Sequence, residues 1–90
     1  MLELVPTTKY RKDRKLMRKR GLDLSLLDDV IRKLQNREKL APSFCDHSLT
    51  NNYAGFRECH IAPDWLFIYA VDNKQLILTA VRTGSHSDLF

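Results

Sequence analysis

The chain has few residues of the kinds that build special scaffolds: two Cys, three Pro, three Gly and one Trp among 90 residues. Two cysteines cannot staple a disulfide-dense fold, so Cys45 and Cys59 are expected to be free thiols, small and buried. With so little Pro and Gly, no flexible linker divides the sequence. The apolar runs are short and broken by polar residues, too short for a helix to cross a bilayer. The N-terminal residues, Met1-Leu2-Glu3-Leu4-Val5-Pro6, lack a basic segment followed by a long apolar one, which predicts a cytoplasmic protein. The length fits one domain, residues 1–90, with a thin core. It excludes two-domain enzymes and barrel enzymes.

What is abundant is positive charge, and it is unevenly placed. Lys plus Arg number 15 against 11 Asp plus Glu. Eight of the basic residues, Lys9, Arg11, Lys12, Arg14, Lys15, Arg18, Lys19 and Arg20, fall between positions 9 and 20, with Asp13 the lone acid among them. Such a field favours a polyanion or an acidic protein segment. A solvated helix face is the plainer alternative.

Residues 2–5 read as a short strand ended by Pro6. Thr7 or Thr8 can cap a helix over residues 9–20, which stops at Gly21. In a second helix, residues 25–35, Leu27, Val30, Ile31 and Leu34 recur at i, i+3, i+4 and i+7 and make one apolar face. Ser25 with Asp28 approximates a capping box, and Asp23 is a rival cap. The short connection implies an antiparallel helical hairpin. Residues 36–55 are the longest irregular stretch, a place where small domains often keep function. Three strands follow, over residues 56–61, 65–71 and 75–82, then a tail that is a loop or one helical turn. The order β-α-α-β-β-β gives an α+β fold of two layers, a helical hairpin on one face of a four-stranded, mainly antiparallel sheet.

All three histidines lie outside these helices: His47 in the long loop, His60 on a strand and His86 in the tail. Strand alternation puts Phe56, Glu58 and His60 on one face, and Leu76, Leu78, Ala80 and Arg82 on one face of the last strand. If helices leave the other sheet face uncovered, His60 and Arg82 converge there, with Asp64 and the loops at its rim. Imidazoles, a carboxylate and a guanidinium suit metal-free RNA cleavage. A base takes the 2′-hydroxyl proton, an acid protonates the departing 5′-oxygen, and a cation faces the charge on phosphorus. Zinc is the rival use of Cys45, His47, Cys59 and His60. Its spacing is poor, because adjacent strand residues point to opposite faces. Trp65 is by default a core or rim residue, although an aromatic can also stack on a base.

Five motifs in order carry a family likeness: Asp46-His47-Ser48-Leu49, Gly55-Phe56-Arg57-Glu58-Cys59-His60, Pro63-Asp64-Trp65, Arg82-Thr83-Gly84-Ser85-His86 and the terminal Leu89-Phe90. Together they resemble the YafQ branch of the RelE/ParE superfamily of bacterial toxins. The resemblance implies a RelE-like fold and a ribosome-dependent ribonuclease that cuts messenger RNA. It also implies an acidic antitoxin partner of the DinJ or RelB kind, and no cofactor or metal. Carried over by position, it implies His47, His60, Asp64, Arg82 and His86 as the catalytic set. Of these, His86 is expected as general acid and Asp64 or His60 as general base. Trp65 and Phe90 are expected to hold the nucleotide. The basic residues Lys9, Arg11, Lys12 and Lys15 would grip ribosomal RNA or dock the antitoxin. The alternatives are a ParE-like inhibitor of DNA gyrase and a non-catalytic RNA- or antitoxin-binding module.

Overall fold

The computed structural model describes residues 1–90. Strand β1 (Glu3–Pro6) leads into helices α1 (Thr8–Lys19) and α2 (Leu24–Gln35). A two-residue strand β2 (His47–Ser48), then β3 (Arg57–Ala62), β4 (Trp65–Asp72) and β5 (Ile77–Gly84), complete the sheet, and α3 (His86–Leu89) ends the chain. The sheet has five strands rather than four, in the order β1-β5-β4-β3-β2. Only the β1–β5 pairing is parallel. The added strand, β2, is too short for sequence alternation to reveal.

Local chemistry fixes the helix ends. Thr7 caps α1 by accepting the Tyr10 N–H. Asp23, the rival cap, starts α2 by accepting the Ser25 N–H. Asp28 is therefore free of any capping role and takes both ends of the Arg14 guanidinium at 2.6 and 2.9 Å. The apolar stripe Leu27, Val30, Ile31 and Leu34 is buried as its spacing predicts. It packs with Tyr10, Met17, Phe67, Tyr69, Leu78 and Ala80 in the main core between helices and sheet.

The other sheet face is not bare. Leu66 and Ile68 are fully buried there beneath Leu89, with Leu49, Tyr53, Phe56 and Val81 packed around them. Helix α3 and the 3₁₀ turn Asn51–Tyr53 thus cover part of the face and leave the rest as a floor for polar groups. The face shared by Leu78 and Ala80 does not include Arg82. The β4–β5 register shifts between Ile68 and Tyr69, so Tyr69 pairs with Ala80 while Ile68 pairs with Arg82. Val81 is the extra residue of a bulge, and a bulge reverses the alternation beyond it. Arg82 is thereby turned away from the main core.

Beyond Ala80 the outer edge of β5 has no strand partner, because β1 ends at Pro6. The start of α1 covers that edge instead. Thr7 donates its N–H to the Ala80 carbonyl at 3.0 Å and its hydroxyl to the Val81 carbonyl at 2.7 Å. Asp13 accepts the Thr83 N–H at 3.2 Å. No helix is long and apolar enough to cross a membrane.

Candidate active site

The polar floor is built from β2, β3 and the start of α3. His47 pairs with Glu58 across β2–β3, and His60 follows Glu58 on the same face of β3. Glu58 is only 5% exposed. Its two carboxylate oxygens each lie 3.7 Å from an Nε2, one of His47 and one of His60. These are ion-pair distances, too long for hydrogen bonds. The ring of His86 stands edge-on to that of His60, with centroids 5.9 Å apart. One donor atom from each of Glu58, His60 and His86 lies within 4.8 Å of the others.

His86 is the first residue of α3 and is held from two sides. Asp64, in the β3–β4 turn, accepts the His86 backbone N–H at 3.0 Å and its Nδ1–H at 2.8 Å. Those hydrogen bonds hold the Asp64 carboxyl below its ordinary range, first through the backbone N–H and then through the ring. An ionised carboxylate can only accept, so the proton on Nδ1 stays there and Nε2 is left for other work. The helix itself is fixed by a reciprocal cap. Ser85 accepts the Asp88 N–H, and Asp88 accepts the Ser85 N–H. Gly84 fits closely beneath this cap: a Cβ there would lie 3.0 Å from the Cβ and Oδ2 of Asp88, which would have to give by a few tenths of an ångström. Arg20 takes both oxygens of Asp88 at 2.6 and 3.0 Å and ties α3 to the end of α1. The expected tail is thus a capped turn rather than a loose end.

The motif residues divide by side of the sheet. Asp46 and His47 are consecutive and point opposite ways. Asp46 accepts from Arg57 Nε at 3.0 Å and from the Tyr69 hydroxyl at 2.7 Å, which anchors the loop. His47 faces the site and donates its Nδ1–H to the Cys45 carbonyl at 2.7 Å. Cys59 is buried on the helix side, and burial pushes its thiol up to about 12. His60 faces the other way, so the two cannot share an ion. Cys45 is exposed, against the expectation that it is buried.

Trp65 requires a correction. It is 3% exposed, lies in the core between sheet and helices, and donates its indole N–H to Thr83 Oγ1 at 2.9 Å. A base cannot stack on a ring in that position. Its role is to hold β4 against β5 beneath the site. Phe90 is 63% exposed and rests edge-on against Tyr53 at 5.4 Å, so one face stays open. Arg82 lies on the sheet face of Ile68, beside Tyr53, and its guanidinium is gripped by Asp13 through Nε at 2.6 Å and Nη2 at 3.0 Å. Lys9, Arg11, Lys12 and Lys15 are all exposed on α1. Arg11, Arg14, Lys15 and Arg18 line a groove of about 560 Å³ with Leu24.

The residue that sequence reasoning missed is Glu58. Its signal was present, for it is an acid in mid-strand, where acids are disfavoured, on the same face as His60.

Comparison with known proteins shows the family of the chain. The family model for the bacterial toxin YafQ of type II toxin–antitoxin systems matches residues 2–90. The mRNA interferase toxin YafQ of Escherichia coli K12 is 38% identical over 82 residues, covering 90% of this chain and 87% of the relative. A metal-bound toxin from Helicobacter pylori superposes with a TM-score of 0.94 at 42% identity, over all of both chains. In the E. coli DinJ–YafQ complex the matching chain gives a TM-score of 0.89 at 32% identity, covering 100% of this chain and 99% of that one. The five ordered motifs, the five-stranded sheet and these matches over nearly the full length place the chain in the YafQ family of toxins of type II toxin–antitoxin systems.

Proposed function

We propose that this chain is an mRNA interferase, an endoribonuclease that cuts message on translating ribosomes and so stops translation. The observation that carries the reading is the pair of imidazoles, His60 and His86, 5.9 Å apart on an open floor, each backed by its own carboxylate. Both rings can reach one phosphodiester laid across them.

In the cleavage step the Glu58–His60 pair takes the proton from the 2′-hydroxyl. The imidazole meets the hydroxyl and the buried carboxylate balances the charge it acquires. The O2′–P bond forms as the P–O5′ bond breaks, and His86 gives its Nε2 proton to the departing 5′-oxygen. The products are a 2′,3′-cyclic phosphate and a free 5′-hydroxyl. Asp64, one of the two expected bases, is engaged with His86 and serves to orient the acid. Arg82 faces the charge that builds on the phosphoryl oxygens. His47 neighbours the same carboxylate and binds phosphate, and Phe90 supplies the open face for a base. Lys9, Arg11, Lys12 and Lys15 lie well placed to bind ribosomal RNA, whose phosphates reward each neutralised charge.

The same cluster offers a donor set that fits a transition metal, with two imidazoles and one carboxylate within 4.8 Å. Glu58, His60 and His86 would hold such an ion, and it would supply Lewis acidity at that point. In the reaction proposed here these groups carry protons instead.

An E. coli relative is solved with DinJ, and the partner proposed for this chain is likewise an acidic antitoxin. The basic α1 and the groove beside it are complementary to such a chain. The compartment that holds messenger RNA and ribosomes is the cytoplasm. The test is to map message ends after adding purified protein to a translating extract. His86→Ala and Arg82→Ala should each lose most cleavage while staying folded and antitoxin-bound. Cleavage by both variants at the parent rate would end the proposal.

A further inference from the structure

The lone acid in the basic run has a specific partner. Asp13 lies on the inner face of α1 and is 12% exposed at its side chain, although Lys12 and Lys15 close by on the helix are open to solvent. Its carboxylate reaches over the uncovered edge of β5 and makes three contacts: Arg82 Nε at 2.6 Å, Arg82 Nη2 at 3.0 Å and the Thr83 N–H at 3.2 Å. We propose that Asp13 is a positioning residue for the cleavage reaction, fixing which edge of the Arg82 guanidinium faces the scissile phosphate.

The geometry carries this. A guanidinium has five N–H groups on two usable edges, the side edge through Nε and one Nη, and the end edge through both Nη atoms. Asp13 occupies the side edge. Nη1 makes no hydrogen bond within the chain, and the end edge it forms with Nη2 is the fork which meets two phosphate oxygens at once. Tyr53, on the same side of the sheet as the histidines, is the other group beside the guanidinium. The Thr83 N–H holds the carboxylate itself, so Arg82 is located against backbone rather than against another mobile side chain. The bulge at Val81 turns Arg82 to this face, and Asp13 then sets its direction. Asp13 also opposes the Arg82 charge, so it costs some attraction for phosphate while supplying orientation. This inference rests on the proposed ribonuclease reading, in which Arg82 meets the phosphoryl oxygens.

The test uses purified full-length protein on ribosomes programmed with a defined message. Single-turnover cleavage gives a maximum rate and a half-saturating protein concentration. Asp13→Asn should lower the maximum rate by about 10–100-fold, the scale of a misplaced catalytic group. The half-saturating concentration should stay level or fall, because the freed Arg82 charge attracts phosphate more strongly. Asp13→Glu, which can still pair with the guanidinium, should recover part of the rate. In an Arg82→Ala background the Asp13→Asn change should have no further effect, since its partner is gone. Three results overturn the assignment: a parental rate for Asp13→Asn, an equal loss with or without Arg82, or a loss confined to half-saturation. If Arg82→Ala itself cleaves at the parental rate, the ribonuclease reading of Arg82 fails and takes this inference with it. If Arg82→Ala is slow and Asp13→Asn is not, only this inference fails.

Discussion

A single oxygen of Asp64 holds both the backbone N–H and the ring Nδ1–H of His86, at 3.0 and 2.8 Å. The His86 ring is thereby fixed in direction by a residue 22 positions earlier in the chain. Asparagine at this site keeps the size but adds an NH₂ group. That group cannot accept from the Nδ1–H, and the remaining carbonyl oxygen accepts without a negative charge, so the ring that donates from Nε2 is held less firmly. Asp64→Asn is therefore expected to cut the maximum cleavage rate by about 10–100-fold with little change in ribosome affinity. A parental rate in single-turnover assays would remove Asp64 from the reaction.

The buried hydrogen bond beneath the site makes a separate prediction about stability. Trp65 donates to Thr83 Oγ1, and the Thr83 hydroxyl passes its own proton to the Leu66 carbonyl at 2.7 Å. Thr83→Val keeps the shape and strands the indole N–H. The cost should be about 1–3 kcal/mol, read as a lower urea midpoint at unchanged slope. Adding Trp65→Phe removes the stranded donor, so the double variant should lose less than the sum of the two single losses. Simple additivity would mean that the hydrogen bond matters little.

Much of this fold is legible in the sequence because its signals are local. Leu27, Val30, Ile31 and Leu34 announce α2, Thr7 announces α1, and the five residues His47, His60, Asp64, Arg82 and His86 are polar groups placed near turns or strand ends. The illegible parts depend on distant partners. Nothing near Val81 reveals the bulge, yet it decides which way Arg82 points. Nothing near Asp13 reveals that its partner lies 69 positions away. Trp65 misleads for a related reason. An aromatic beside an exposed aspartate can stack on a base or fill a core, and only the alternation of β4 settles which. Glu58 is half legible: its place in mid-strand on the face of His60 is a local signal, whereas its second histidine, His47, is brought beside it only by the pairing of β2 with β3.

Acid should loosen the C-terminal helix before it unfolds the rest. Asp64 and Asp88 are both held below the ordinary carboxyl range, Asp64 by its bonds to His86 and Asp88 first by Arg20 and then by the Ser85 N–H. A carboxyl depressed in the folded state adds stability above its unfolded value of about 3.9, and that stability is lost as pH falls through the folded value. The docking of α3 should therefore be complete at neutral pH and weaken as the solution is taken below about pH 4. Amide exchange at Leu89 and Phe90, whose N–H groups close α3, reports it directly. In Asp88→Asn the helix should exchange faster even at neutral pH, with less further change on acidification. Protection of Leu89 and Phe90 that is flat from neutral to strong acid would contradict the assignment.

Metal addition separates two uses of one set of lone pairs. Glu58, His60 and His86 bring their donor atoms within 4.8 Å, and the proposed reaction needs those atoms free to exchange protons. A copper or zinc ion bound there competes with protons for the same nitrogens and oxygen. Added Cu²⁺ should therefore slow cleavage, and a chelator selective for transition metals should restore the rate while Mg²⁺ stays with the ribosome. His47→Ala leaves all three donors in place, so it should keep the inhibition, whereas Glu58→Gln should bind copper more weakly in direct titration. A rate that rises with copper, or falls on chelation of protein as purified, would show that the ion takes part in the chemistry and that proton transfer by these three residues is the wrong account.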